Sequence, residues 1–307
     1  MSFSATEAAF EGFRIVRRNP LSLLWWAALY AVLSFASLAA MVLNAGSWIE
    51  FIRLSEEMET AGANAQADPA QVMVMLGALG GAMASFIWLL PLQLVVTSVL
   101  TAAIARAILR PSDGGFGYMR LSMDEVRVFV VTLVVMIALF AIYVGCIFGV
   151  GLLIGIAAAI DQAWAGLLVA AGIVASICLM AWLAVRWSLA VPITVAERRM
   201  AFFDSFGLTK GRFWSMLGMA ILAVIMALFI GLLSLVVIAP LTMMSGASMF
   251  AGVASDDPAA MFEAYRTFNP WMIVTALLNA GVYALTVSVL YAPFSAAYRD
   301  LKGLPND

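Results

Sequence analysis

The stretch FRIVRRNPLSLLWWAALY, Phe13 to Tyr30, runs a basic segment straight into an apolar one. Two readings compete for it. It is either a secretion signal that is cut away, or the first of several membrane spans with arginines holding its inner end. The choice decides the fold, and the chain contains its own comparison. FEGFRIVRRNPLSLLWWAALY from Phe10 aligns with FDSFGLTKGRFWSMLGMAILA from Phe203, with identities at Phe10/Phe203, Phe13/Phe206, Ser22/Ser215, Leu24/Leu217, Ala27/Ala220 and Leu29/Leu222. Glu11/Asp204, Ile15/Leu208 and Arg17/Lys210 match in chemistry. A fainter copy starts at Gly115, where Gly115, Phe116 and Arg120 match Gly12, Phe13 and Arg17. A unit that recurs deep in the chain is not a leader, and its apolar run exceeds the roughly 7–15 residues of a signal core. The opening stretch is therefore expected to remain as a structural unit.

Composition extends this reading to the whole molecule. Of 307 residues 64% are apolar and only 11% charged, against about a quarter charged in soluble domains. The apolar residues gather into runs longer than the ~20 needed to cross a bilayer. Six spans are expected, near 20–43, 72–109, 126–159, 163–191, 213–243 and 270–296. Asn19-Pro20 and Asn269-Pro270 read as helix starts, and Ser122 with Glu125 has capping-box spacing. Asp68-Pro69 resembles a further start, and Asp161 marks a tight turn between the third and fourth spans. The second run is too long for a perpendicular span, so it must tilt, bend near Pro91 or project from the bilayer.

The sixteen basic residues orient these spans. Fourteen lie in the N-terminal segment, the 106–127 loop, the 186–212 loop and the C-terminal tail, leaving Arg53 and Arg266 opposite. Nine of the eighteen acids, including Glu56, Glu57, Glu59, Asp256 and Asp257, lie opposite too. The positive-inside rule then puts both termini in the cytoplasm. Tryptophans 25, 26, 48, 164, 187, 214 and 271 fall near span ends as interfacial anchors, while Trp88 and Trp182 sit deeper and read as packing residues. The expected fold is all-α and polytopic: six transmembrane helices in three repeated hairpins, related by an axis along the membrane normal, with cytoplasmic interfacial helices. The whole chain, 1–307, reads as one integral membrane domain.

The segment LAVPITVAERRMAFFDSFGLTKGRFWSMLGMAIL, residues 189–222, resembles the glycerophosphoryl diester phosphodiesterase membrane-domain family and related six-span bacterial proteins. Pro192, Glu197, Ala201, Ser205, the Leu208–Gly211 run, Phe213 and Trp214 carry the likeness, as does YAPFSAAYRDLKG at 291–303. The chain departs from that pattern at Phe203 and Asp204, where the family often has basic residues before the serine. The resemblance implies a bacterial cytoplasmic membrane and a phosphodiesterase that is a separate soluble domain, for which this chain has no room outside its spans.

The residues themselves point away from catalysis. With no histidine there is no imidazole base and no Ser-His-Asp triad. Cys146 and Cys178 lie inside spans and imply neither thiol chemistry nor a disulfide framework. GALGG at Gly77–Gly81 lacks the context of a phosphate loop; like Gly145, Gly149 and Gly151 it reads as a close-packing position. No metal site, cofactor or nucleic-acid partner is expected, and no mid-span charge suggests ion coupling.

Two sets of residues remain as candidates. Arg198, Arg199, Lys210, Arg212, Arg14 and Arg17 are placed to meet the headgroups of anionic lipids. Gln93, Asn279 and Tyr283 are deep polar residues near Pro91 and Pro293; they either bond between helices or line a pocket for a lipid-like molecule. Two functions follow: a lipid-associated scaffold or accessory module acting on a membrane-protein partner, or a passive transporter or flippase for an amphipathic molecule. A hydrated cavity between the repeats, open to one leaflet, favours the second, a tightly packed centre the first.

Overall fold

A computed structural model describes residues 4–60, 69–120, 122–157, 162–245, 262, 264–266 and 269–304. Among these no strand occurs, and six helical stretches are long and apolar enough to cross a membrane. Lipid explains the uniformity, because hydrocarbon leaves backbone N–H and C=O groups no partner but the helix itself. Mean hydropathy is +1.04, and large side chains such as Phe140, Phe148, Leu232 and Val236 are exposed, as lipid-facing residues are. The protein is an all-α, multi-pass membrane protein.

The helices are α1 (Ala5–Ala9), α2 (Glu11–Arg18), α3 (Pro20–Thr60), α4 (Pro69–Ile87), α5 (Leu89–Leu109) and α6 (Met123–Ala157). They continue with α7 (Gln162–Trp187), α8 (Ala190–Glu197), α9 (Asp204–Leu208), α10 (Phe213–Ser245) and α11 (Pro270–Lys302). The first span was expected to end at Leu43, yet α3 continues to Thr60. Asn44 does not stop it, because its amide donates back to the Ala40 carbonyl at 2.8 Å. At 1.5 Å per residue α3 is about 60 Å long, twice the hydrocarbon thickness, so its far end with Glu50, Arg53 and Glu56 extends beyond the hydrocarbon core.

Proline explains two breaks. The long second run divides at Trp88, between α4 and α5, and the fourth divides at Ser188-Leu189, between α7 and α8. A proline ring clashes with the carbonyl four residues back and removes the N–H that would bond it. For Pro91 that carbonyl belongs to Ile87 and for Pro192 to Ser188, so each break falls beside it. Asn269 caps α11 as its sequence suggested, accepting from the Trp271 N–H at 3.0 Å. The starts and turns read at Asp68 and Asp161 lie outside the described residues, as do Asp256 and Asp257.

By internal contact the chain forms two compact units. The first comprises Met1–Asn19, Ser98–Met226 and Val287–Asp307. Here α6 packs along α7 and α8, and Ala102, Ala105, Val128 and Val195 form a small core sealed by Leu109 and Val191. Helix α2 crosses α11 closely at Gly12: a Cβ on Gly12 would stand 2.6 Å from the Val289 Cα. Glycines 77, 80, 145, 149 and 151, read as close-packing positions, face open space instead.

The second unit comprises Pro20–Thr97 and Ala227–Thr286. Helix α3 packs along α4, and Trp48 stacks on Phe262 at 5.5 Å beside Ile49. Trp26 is fully buried and Trp88 is 48% exposed, reversing the interfacial and packing roles assigned to them. Helix pairs α3/α4 and α6/α7 pack side by side.

Candidate functional site

The second unit holds an open cavity of about 410 Å³. Tyr30, Ser34 and Ser37 of α3 line it, at the four- and seven-residue spacing that puts polar groups on one helix face. Thr275, Asn279 and Tyr283 of α11, each four residues apart, supply a second polar stripe. Leu38, Met41, Phe86, Met272 and Ala276 give the apolar part, and among the described residues no charged side chain lines it.

The three residues expected to make a pocket are brought together here. Asn279 and Tyr283 line the cavity, while Gln93 stands behind it and donates to the Tyr283 hydroxyl at 3.2 Å and to Thr97 at 3.1 Å. Tyr30 stacks on Tyr283 with ring centres 3.7 Å apart. Gln93 and Tyr30 thus hold the Tyr283 ring at the wall. Among the described residues Asn279 makes no side-chain hydrogen bond, so its amide remains available to an occupant. An unpaired amide at bilayer depth is costly, and a polar guest or water offsets that cost. The serines and Tyr30 were missed in the sequence although their helical spacing was legible.

The first unit carries a second constellation, which the sequence reading took for topological charge alone. Arg106 is 1% exposed and reaches Glu125 at 2.6 Å, while its other terminal nitrogen donates to the Tyr118 carbonyl. Glu125 also accepts from the Ser122 N–H at 2.9 Å and its hydroxyl at 2.6 Å, completing the capping-box return to the start of α6. Asp124 is shared by Arg110 at 3.2 Å and Arg127 at 2.9 Å, and Asp113 lies 3.6 Å from Arg110 and 3.9 Å from Arg120. The available signal was position: Arg106 falls inside the end of an apolar run rather than beyond it.

The six headgroup candidates separate into different settings. Arg14 lies half exposed on α2, 3.3 Å from Glu11, which also faces Arg299 at 3.7 Å. Arg17 is exposed on the same helix, and Lys210 and Arg212 are exposed around the turn after α9. Arg199 is consumed within the protein: it makes paired 3.0 Å bonds to Asp204 and a 2.8 Å bond to Glu197. Those bonds hold the Asp204 carboxyl below the usual carboxylate range, with desolvation opposing. Arg198 points elsewhere and lines a cavity with the Arg106–Arg127 group.

The segment 189–214 is held by its own side chains. Breaking the helix at Pro192 frees the Leu189 N–H, and the fully buried Ser205 hydroxyl accepts from it at 3.1 Å. Thr194 accepts from the Ala201 N–H at 3.3 Å, and Tyr298 donates to Glu197 at 3.1 Å, joining α8 to α11. Arg186 donates to the Phe206 carbonyl and Thr209 hydroxyl, both at 3.1 Å, and covers the Trp182 ring at 5.4 Å.

These features define the class: a multi-pass helical membrane protein with an uncharged polar cavity and an arginine-rich helix-end cluster. Neither a protein-family model, nor a curated protein, nor a solved structure matches the chain.

Proposed function

We propose that this is a non-enzymatic protein of a bacterial cytoplasmic membrane that holds, and passively passes, an uncharged amphipathic or lipid-like molecule. The carrying observation is the 410 Å³ cavity with its two hydroxyl and amide stripes and apolar remainder. Such a mixture suits a molecule with a hydrogen-bonding head and an apolar body. The absence of a charged lining among the described residues argues against ion coupling. The kinship suggested by residues 189–222 and 291–303 belongs to the same proposal.

The charge asymmetry supports an orientation with both termini cytoplasmic. Counting from Pro20 at the inner surface, Tyr30 lies about 15 Å deep and Met41 about 32 Å, so the cavity occupies the outer half of the bilayer. Cysteine at Glu56 is expected to react with an impermeant thiol label in intact cells, and a reporter on the C-terminus to be active in the cytoplasm. Labelling only after the membrane is broken would reverse the orientation.

The cavity reading is tested with Ser37→Trp, which fills the space from one wall. Wild-type protein in proteoliposomes is expected to move a fluorescent neutral lipid analogue between leaflets and to retain a neutral amphiphile through purification. The variant loses both while melting at the same temperature. If wild-type vesicles move lipid no faster than protein-free ones and nothing is retained, transport is wrong.

One observation favours the scaffold reading. Phe116 and Phe203 are 71% exposed and Trp214 is 79% exposed, all on segments that also carry Arg120, Lys210 or Arg212. Apolar rings beside cations suit an anionic lipid surface on which a partner membrane protein is met.

A further inference from the structure

We propose that the arginine cluster of the first unit is a binding site for a phosphoryl group, carried by a lipid headgroup or by a small phosphate in solution. The site is a cavity of about 330 Å³ at the end of α5 and the start of α6. Once Arg106 is taken by Glu125, its wall presents Arg110, Arg120, Arg127 and Arg198 against Asp113 and Asp124. Four cations facing two carboxylates leave an excess of two positive charges, matching the charge of a phosphate monoester.

The geometry leaves donors for such a ligand. Asp124 is divided between Arg110 and Arg127, and Asp113 between Arg110 and Arg120. Arg110 keeps one terminal nitrogen buried with no hydrogen-bond partner, an arrangement that costs free energy until an acceptor arrives. Arg198 has no partner among the described residues and ends α8 in the left-handed region, at φ 54° and ψ 32°. Glycine or asparagine is the usual occupant of that place. An arginine held there puts a fork of donors at the cavity, and planar forks match phosphate oxygens. The site shares no lining residue with the uncharged cavity, so it stands or falls separately from the transport reading.

Arg198→Gly tests the site without threatening the fold, since glycine accepts a positive φ at no steric cost. Arg199→Gln is the control, because Arg199 is engaged with Asp204 and Glu197. Full-length protein in phosphatidylcholine nanodiscs is titrated with inorganic phosphate by calorimetry. In parallel, retention of phosphatidic acid from doped nanodiscs is read by native mass spectrometry. Wild type is expected to bind in at least one arm, and the arm names the source. R198G is expected to bind about tenfold more weakly or worse, as loss of a charge-assisted hydrogen bond demands, while melting no earlier than wild type. R199Q stays within about twofold of wild type, as an exposed ion pair contributes little. Absence of binding in both arms overturns the proposal. So does equal weakening by R198G and R199Q, which would mark a diffuse surface charge rather than a built site.

Discussion

Replacing Glu125 by leucine is expected to destabilise the protein by about 3–5 kcal/mol, because it takes from the buried Arg106 guanidinium its directly bonded carboxylate. Asp124, 4.0 Å away and shared with two other arginines, is then left as the nearby acid. Arg106 and Glu125 side chains are only 1% and 6% exposed and lie 2.6 Å apart. Arg106→Met should cost a similar amount from the other side, orphaning a carboxylate that Ser122 alone then holds. The double variant Arg106→Met/Glu125→Leu should recover most of the loss, since it removes both charges together. Unfolding in detergent of the two single variants and the double reads the cycle directly. Single variants that unfold with wild type would show the pair to be hydrated and inconsequential.

Gly12→Ala is the second large effect, at about 1–3 kcal/mol, with Gly12→Val beyond it. The new Cβ would stand 2.6 Å from the Val289 Cα, 2.7 Å from the Ser288 carbonyl oxygen and 2.9 Å from the Val289 nitrogen. All three are backbone atoms, so no side chain can swing aside and α2 itself must lift from α11. Lifting α2 also weakens the contact between Glu11 and Arg299. A lower melting temperature and faster labelling of a cysteine at Ile15, buried in the wild type, are the expected readouts. Unchanged melting and labelling would mean that α2 is not seated there.

Gly12 also shows how far the internal alignment reached. It aligns with Ser205, and both positions meet a turn that precedes a proline: Gly12 at Val289, four residues before Pro293, and Ser205 at Leu189, three before Pro192. The alignment marked the position; it said nothing of the backbone beneath it. The match between Leu189-Ala-Val-Pro192 and Leu290-Tyr-Ala-Pro293 was visible as well, and would have drawn attention to both turns. The candidate site was legible in the same partial way. Asn279 and Tyr283 were found as deep polar residues on one helix, but Tyr30, Ser34 and Ser37 were lost among the small residues of an ordinary-looking span.

The arginines divide the two kinds of information most clearly. Their placement along the chain follows from insertion energetics, so a count of basic residues per loop suffices to propose an orientation. Which of them is free depends on acids brought close by folding. Arg198 and Arg199 are neighbours in sequence, yet one lines a cavity and the other is tied to Asp204.

Sequence alone determined that this is an all-helical, six-span membrane protein, because hydropathy is a sum over about 20 neighbouring residues and lipid admits one local solution for their backbone. It also offered a bend near Pro91, since a ring meets a carbonyl only four positions away. The break before Pro192 and the unbroken helices around Pro240 and Pro293 were decided by the tertiary structure. The tertiary structure decided what touches across long separations: Gln93 with Tyr283, Glu197 with Tyr298, Arg106 with Glu125. Those contacts depend on how helices settle against one another through small and polar side chains, where hydropathy no longer distinguishes one face from the next.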